Sequence, residues 1–329
     1  ETTSYSDFGT MLSAKVSGLD IRKPSGTVGG GFRFDVRAGG GLNGNEQPII
    51  FIDGMRVDNN EVGPYSYGQG VSTLLDFNPD DIENVEILKG PAAATSYGTN
   101  GSNGIVFIET KTGKAGRDKP TFTYKHTTGS NNPEFRVDEG FQNHELFHDI
   151  LSPGKIADDY FSVSGGDYNA RYFLSFSNRY EEGMLIWKHQ NNFDRRTIRG
   201  NFDLLPQDNL KLSLNTSYST YTAKIPHSDF SIYGALGGTL ITFIPWKNAD
   251  SVAFADIDQG MDSKRFTGSI SATYYPMQKI NKYGLNTLVL KGKIGIDNVH
   301  RDHFTLQSSD YTYGTQGEGE KGLLRTDTK

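Results

Sequence analysis

The sequence predicts a small mixed α/β domain over residues 1–115 followed by antiparallel β-strands over 116–329, the strands closing part of a barrel. Three observations predict it. The run 82–98, closing on 103–106, reads as strand, Gly-Pro turn, one helical turn of small residues, glycine turn and strand. Beyond residue 120, seven segments alternate apolar and polar residues with period two, the pattern of a half-buried strand. No apolar run approaches the ~20 residues of a membrane-crossing helix, so a helix-spanning protein is excluded and a barrel is not.

Within 1–115 the short apolar strands are 31–37, 48–53, 82–89 and 104–111, with 55–76 between them as a long loop and 113–120 as a polar, turn-rich boundary. Pro91 stands where a helix begins, a position that needs no N–H. Gly98, Gly101 and Gly104 turn the chain back where a side chain would be strained. Asp53-Gly54 ends an apolar strand as an aspartate–glycine turn.

The alternating segments are 121–128, 159–165, 170–180, 196–204, 210–219, 266–274 and 288–297. In the third, Tyr172, Leu174, Phe176 and Tyr180 share one face, and Arg171, Ser175, Ser177 and Arg179 share the other, with Phe173 among them. Alternation alone fits either a soluble sandwich or a membrane barrel. Strands of about 9–11 residues cross a tilted bilayer path, and a tight connection at 205–209 against a very long one at 222–264 matches short turns on one side and long loops on the other; both favour the barrel. Seven strands cannot enclose a folded domain of a hundred residues and would leave unpaired edges in lipid. The chain is therefore expected to be the N-terminal portion of a longer protein.

Composition narrows the function. A net charge of −6 gives no footprint for nucleic acid. Cysteine is absent, which rules out disulfides and thiolate metal sites within these residues. Hydrophobic content of 35% with 39 glycines and 12% aromatics suits many strands and turns better than one large soluble core.

The run around Lys89, Gly90, Pro91, Tyr97, Gly98, Asn103 and Gly104 resembles the plug domain of TonB-dependent outer-membrane transporters, in their SusC-like branch. Residues 14–19 resemble the opening strand of that branch, and the stretch 42–54 ending in Asp53-Gly54 and 78–83 resemble further signatures in the same order; Arg37-Ala38 departs from its usual Arg-Gly. The resemblance implies a plug followed by the first strands of an outer-membrane barrel of about 22 strands. It implies import without chemistry on the substrate: an oligosaccharide or peptide bound outside, a SusD-like surface lipoprotein as lid, outer-membrane lipid around the wall, and a TonB complex pulling from the periplasm. No TonB box is recognisable before residue 8, so that element is expected upstream. A plugged barrel serving as a scaffold or secretion-associated partner is the competing reading, and neither assigns a cofactor, a resident metal or catalysis.

Remaining motifs each carry two readings. His144-Glu145-Leu146-Phe147-His148 has the spacing of a zinc protease, but no third ligand follows, and a short helix between early barrel strands accounts for it. Gly39 to Gly44 spells a dinucleotide fingerprint, yet a strand follows where a helix is required. Asp7, Asp76, Asp80 and Asp81 are either a calcium cluster or, better, helix caps and solvated acids. Lys89 with Glu83 and Glu86 either ties plug to wall or stands in water. Asn59, Asn60, Tyr65, Tyr67, Tyr233 and Trp246 are candidates for gripping a substrate, or for packing loop on loop.

Overall fold

A computed structural model describes residues 8–15, 19–22, 28–30, 32–36, 48–58, 61–62, 71–88, 95, 97–114, 116–133, 149–225, 257–276 and 288–307. The described residues begin with helix α1 (Phe8–Lys15), then β1 (Leu19–Arg22) paired antiparallel with β2 (Arg33–Val36). A four-stranded sheet follows in the order β4 (Met55–Val57), β3 (Ile49–Ile52), β8 (Ile105–Thr110), β7 (Ile82–Leu88). Its β3–β8 contact is parallel and the other two are antiparallel. A small ladder joins β5 (Glu61–Val62) to β6 (Val71–Ser72).

The expected strand at 14–19 is corrected: Ala14 and Lys15 end a helix. Phe8, Met11 and Leu12, spaced i, i+3, i+4, are buried together against Phe77 and the sheet. Tertiary burial holds this helix despite Gly9, since short helices draw their stability from packing. The expected loop 55–76 is also corrected at its described ends. Met55–Val57 pairs with β3, and residues 71–76 run as strand and 3₁₀ turn in the core. Val71, Leu74, Leu75 and Phe77 supply the apolar surface for that burial, while Ser72 and Asn78 cap the two turns by accepting N–H bonds from Leu74 and Asp80.

The second unit is one antiparallel sheet in strict chain order: β9 (Arg117–Asn131), β10 (Gly154–Gly166), β11 (Ala170–Glu182), β12 (Asn192–Gln207), β13 (Leu210–Lys224), β14 (Ile257–Tyr274) and β15 (Leu290–Gln307). Six of the seven alternating segments lie wholly within these strands, and the last, 288–297, enters β15 at Leu290. The strands are 13 to 18 residues, longer than the 9–11 that spanning alone requires. On the outward face most of the extra length lies toward the long connections and is polar, as at Arg196 and Asp194 of β12 and Lys264 and Asp262 of β14, with Tyr180 and Phe304 among it. At the opposite end β10–β11 and β12–β13 turn tightly. There the Asp167 carboxylate accepts the N–H groups of Asn169 and Ala170, which hold its pKa below the usual carboxylate value.

The faces of this sheet decide between sandwich and barrel. Leu174, Phe176, Ile198, Leu214, Tyr218, Phe266, Ile270 and Ile294 are exposed, Ile198 by 56% and Ile270 by 57%. Ser175, Ser177, Arg179, Arg195, Thr197, Arg199, Ser219 and Arg265 are buried. A water-soluble sandwich would bury the first set. The exposed set forms lateral rows by register: Tyr124, Phe161, Phe176, Ile198, Tyr218 and Phe266 pair in turn from β9 to β14. That is the apolar outer surface of a membrane barrel.

Candidate functional site

The buried polar face of the wall closes on one plug segment, 72–81. Its backbone leaves β6, makes two 3₁₀ turns (Thr73–Asp76 and Pro79–Asp81) and enters β7. Pro79 at the start of the second turn sets φ for it. The segment carries Asp76, Asp80 and Asp81, and each of the seven wall strands reaches one of its residues.

Asp76 is the densest point. At 1% exposure, its carboxylate receives Arg301 of β15 at 2.9 Å and Arg265 of β14 at 3.3 Å. The hydroxyls of Ser263 and Ser219 donate to it at 3.1 and 3.3 Å. Arg265, itself 2% exposed, also makes a two-pronged pair with Asp297 at 2.8 and 2.6 Å, donates to the Thr73 carbonyl at 3.0 Å, and lies 4.8 Å over the Phe77 ring. The planar guanidinium makes this combination available to Arg and not to Lys.

Asp81 accepts from Ser175 of β11 at 2.6 Å and Tyr160 of β10 at 3.2 Å, and pairs with Arg199 of β12 at 3.4 Å. Asp80 meets Lys125 of β9 at 2.8 Å. Arg195 of β12 donates to the carbonyls of Phe77 and Leu75 at 2.9 and 3.3 Å. Beside the segment, Asn201 donates to Thr110 Oγ1 and to the Lys111 carbonyl at 2.8 and 2.7 Å.

Asp53 makes the expected turn and bonds beyond it. Its φ of 48° and the 73° of Gly54 make the two-residue turn between β3 and β4. Its carboxylate also accepts from the N–H and hydroxyl of Thr110, at 2.9 and 2.8 Å, and faces Arg199 at 3.4 Å. Asp76 and Asp81 are corrected: they are neither calcium ligands nor solvated acids but buried wall anchors. Among the described residues no cluster of three or more metal-ligating side chains exists. Glu83 and Glu86 are exposed on the plug's edge strand β7.

The remaining sequence candidates are dispersed. Tyr97 is exposed and packs on the outer plug face against Phe51 at 5.5 Å and Phe107 at 6.3 Å. Gly98 and Gly104 have φ of 68° and 88°, and Asn103 closes the intervening 3₁₀ turn. Lys89, Gly90, Pro91, Asn59, Asn60, Tyr65, Tyr67, Tyr233, Trp246 and His144 to His148 lie outside the described residues. Sequence reasoning missed Asp76, Asp81, Arg195, Arg199, Arg265 and Arg301 as one constellation. The available signal was a row of arginines on the polar side of strands and of aspartates flanking an apolar plug segment.

A wall with lipid outside and a charged seam against an N-terminal domain defines a plugged outer-membrane β-barrel. Comparison with known proteins agrees. Residues 1–105 match the TonB-dependent receptor plug domain. The TonB-dependent receptor SusC of Bacteroides thetaiotaomicron is 29% identical over 260 residues, 71% of this chain and 24% of that protein. TonB-dependent receptor P26 of Formosa agariphila is 26% identical, covering 63% of this chain and 22% of that protein. Among solved structures, the RagAB peptide transporter superposes with a TM-score of 0.73 at 16% identity, over 94% of this chain and 41% of that one, a likeness of fold. The plug match over residues 1–105 and the likeness to SusC support a SusC-like TonB-dependent transporter, and its place is the bacterial outer membrane. It spans about a quarter of the length of the curated relatives it matches, 24% and 22%.

Proposed function

We propose that this chain is the plug, over 1–115, and the first barrel strands, over 116–329, of an importer. Its whole protein carries an oligosaccharide or a peptide across the outer membrane without chemical change. One observation carries the reading: all seven wall strands hold the same short plug segment. A scaffold has no need for a seal this focused, whereas a gate requires a closed state that is released at one place.

The mechanism follows from the seam's composition. A buried charge pair loses strongly when one partner leaves, so segment 72–81 is held all-or-none. Its partners are side-chain donors and acceptors rather than an apolar core, so water that enters the seam takes over each bond as it breaks. A pull from the periplasmic side by a TonB complex would strip the segment from the wall strand by strand. Substrate would be held outside by the loop candidates Asn59, Asn60, Tyr65, Tyr67, Tyr233 and Trp246, beneath a SusD-like lipoprotein. Lys89 to Pro91, Tyr97 to Gly98 and Asn103 to Gly104 would keep the plug's turns in shape. The likeness of fold to the RagAB peptide transporter supports a peptide, and the oligosaccharide rests on the resemblance of the plug motifs to the SusC-like branch.

The test uses the full-length receptor with Ser175→Cys and Asp81→Cys, whose side chains are in contact. Uptake of labelled oligosaccharide and peptide pools is measured in cells before and after oxidation. Import of one pool by the reduced protein, lost on oxidation and restored by reductant, is expected. Uptake equal to that of a gene-deletion strain with every pool would favour the scaffold.

A further inference from the structure

Beyond transport, and resting on the outer-membrane placement, the outward face carries a headgroup site. We propose that Arg196, Thr220 and Lys264 bind the phosphate of an outer-leaflet glycolipid whose acyl chains lie on Ile198, Tyr218 and Phe266.

The register sets the geometry. Arg196 pairs with Thr220 and Thr220 with Lys264, so the three stand side by side on β12, β13 and β14. Two residues along each strand, toward the tight turns, Ile198 pairs with Tyr218 and Tyr218 with Phe266. All six point outward. The apolar trio is exposed, and the Arg196 side chain is 63% exposed. Outer strands of the triad are about 10 Å apart, twice the strand spacing, and long Arg and Lys side chains close on a single phosphate from both sides. The Thr220 hydroxyl lies between them as a third donor.

The order of charges gives the ligand its sign. On β12 to β15 the row bordering the apolar band holds Arg196, Lys264 and, beside Lys264, the imidazole of His300, and its one acid, Asp159, stands two strands from Arg196 on β10. Acids stand one row further out, at Asp194, Asp262 and Asp302. Asp194 pairs with Arg196 at 3.1 Å and Asn178 accepts from Arg196 at 3.3 Å, which fixes the guanidinium over the band. Asp262 is engaged by the Thr222 hydroxyl at 2.6 Å, and Lys264 has no hydrogen-bond or ion-pair partner among the described residues. A cation directly above hydrocarbon meets the phosphate of an amphiphile whose chains are already on the wall, and basic groups at a membrane surface each favour anionic lipid. A free phosphate has no use for the apolar trio.

The full-length receptor in nanodiscs is to be compared by native mass spectrometry with bis-phosphorylated lipid A, its dephosphorylated form and phosphatidylcholine. Wild-type protein is expected to retain the phosphorylated form selectively. The R196A/K264A variant should retain it about thirty-fold less well, while R196K/K264R keeps it. Millimolar inorganic phosphate should not displace it. Equal retention of phosphorylated and dephosphorylated lipid A by the wild type would overturn the proposal even if the variants failed to fold. Equal retention by wild type and the alanine variant, or full displacement by inorganic phosphate, would overturn it too.

Discussion

Along β11 the two faces of one strand obey opposite rules. Leu174 and Phe176 are exposed while Ser175, Ser177 and Arg179 are buried. In water this strand would be inside out. The inversion shows that two different solvents are in play. Hydrocarbon takes the apolar face at no hydrophobic loss, and the polar face is buried where its groups find partners, Asp81 of the plug for Ser175 and Asp158 and Glu181 of the wall itself for Arg179. The inner face is therefore specified by pairing and the outer face by polarity alone, so equal-sized changes on the two should fail differently.

The largest break is expected on the inner face. Asp76→Ala leaves Arg301 without its carboxylate and takes from Arg265 one of its two acids. Removing one member of a buried pair is worth about 3–5 kcal/mol. Expected consequences in the full-length receptor are faster proteolysis of the plug with an intact barrel, and raised leakage of large antibiotics into cells. A plug as resistant as the wild type's would show that the seam is not held through Asp76.

On the outer face the next effect is set by depth. Ile270 stands between Phe266 and Tyr274 on β14, in the middle of the apolar band. Ile270→Arg should cost about 2–4 kcal/mol, and Ile270→Val close to nothing, measured by reversible unfolding in lipid vesicles. A tolerated arginine would mean that water, not hydrocarbon, covers this face.

How much of this was legible follows from the same contrast. Polarity with period two is local, so all seven wall strands could be read from the sequence. Segments 82–89 and 104–111 could likewise be read as plug strands. Helix α1 was not legible because Gly9 and the missing acidic first turn weaken it locally, and its i, i+3, i+4 apolar set matters only once Phe77 is beside it. The charge clasp was the least legible. Arg301 lies 225 residues from Asp76 and Arg195 is 118 from Phe77, and no spacing rule in a single sequence joins residues so far apart. Asp53 shows the intermediate case: its turn was local and readable, its bonds to Thr110 and Arg199 were not.

The smallest effects make the sharpest test, because they compare neighbours on one face. Ser175 and Ser177 are both buried on β11 and point at the plug. Ser175 donates to Asp81 at 2.6 Å, whereas the Ser177 hydroxyl has no partner among the described residues. If the inner face is specified by pairing, Ser175→Ala strips a donor from a buried carboxylate and should cost about 1–3 kcal/mol. Ser177→Ala should stay within about 0.5 kcal/mol of the wild type. Plug protection against hydrogen exchange in 72–81, measured on the two variants side by side, separates the cases. Equal loss in both would mean that the wall grips the plug by shape; loss in Ser175→Ala alone would mean that it grips by charge.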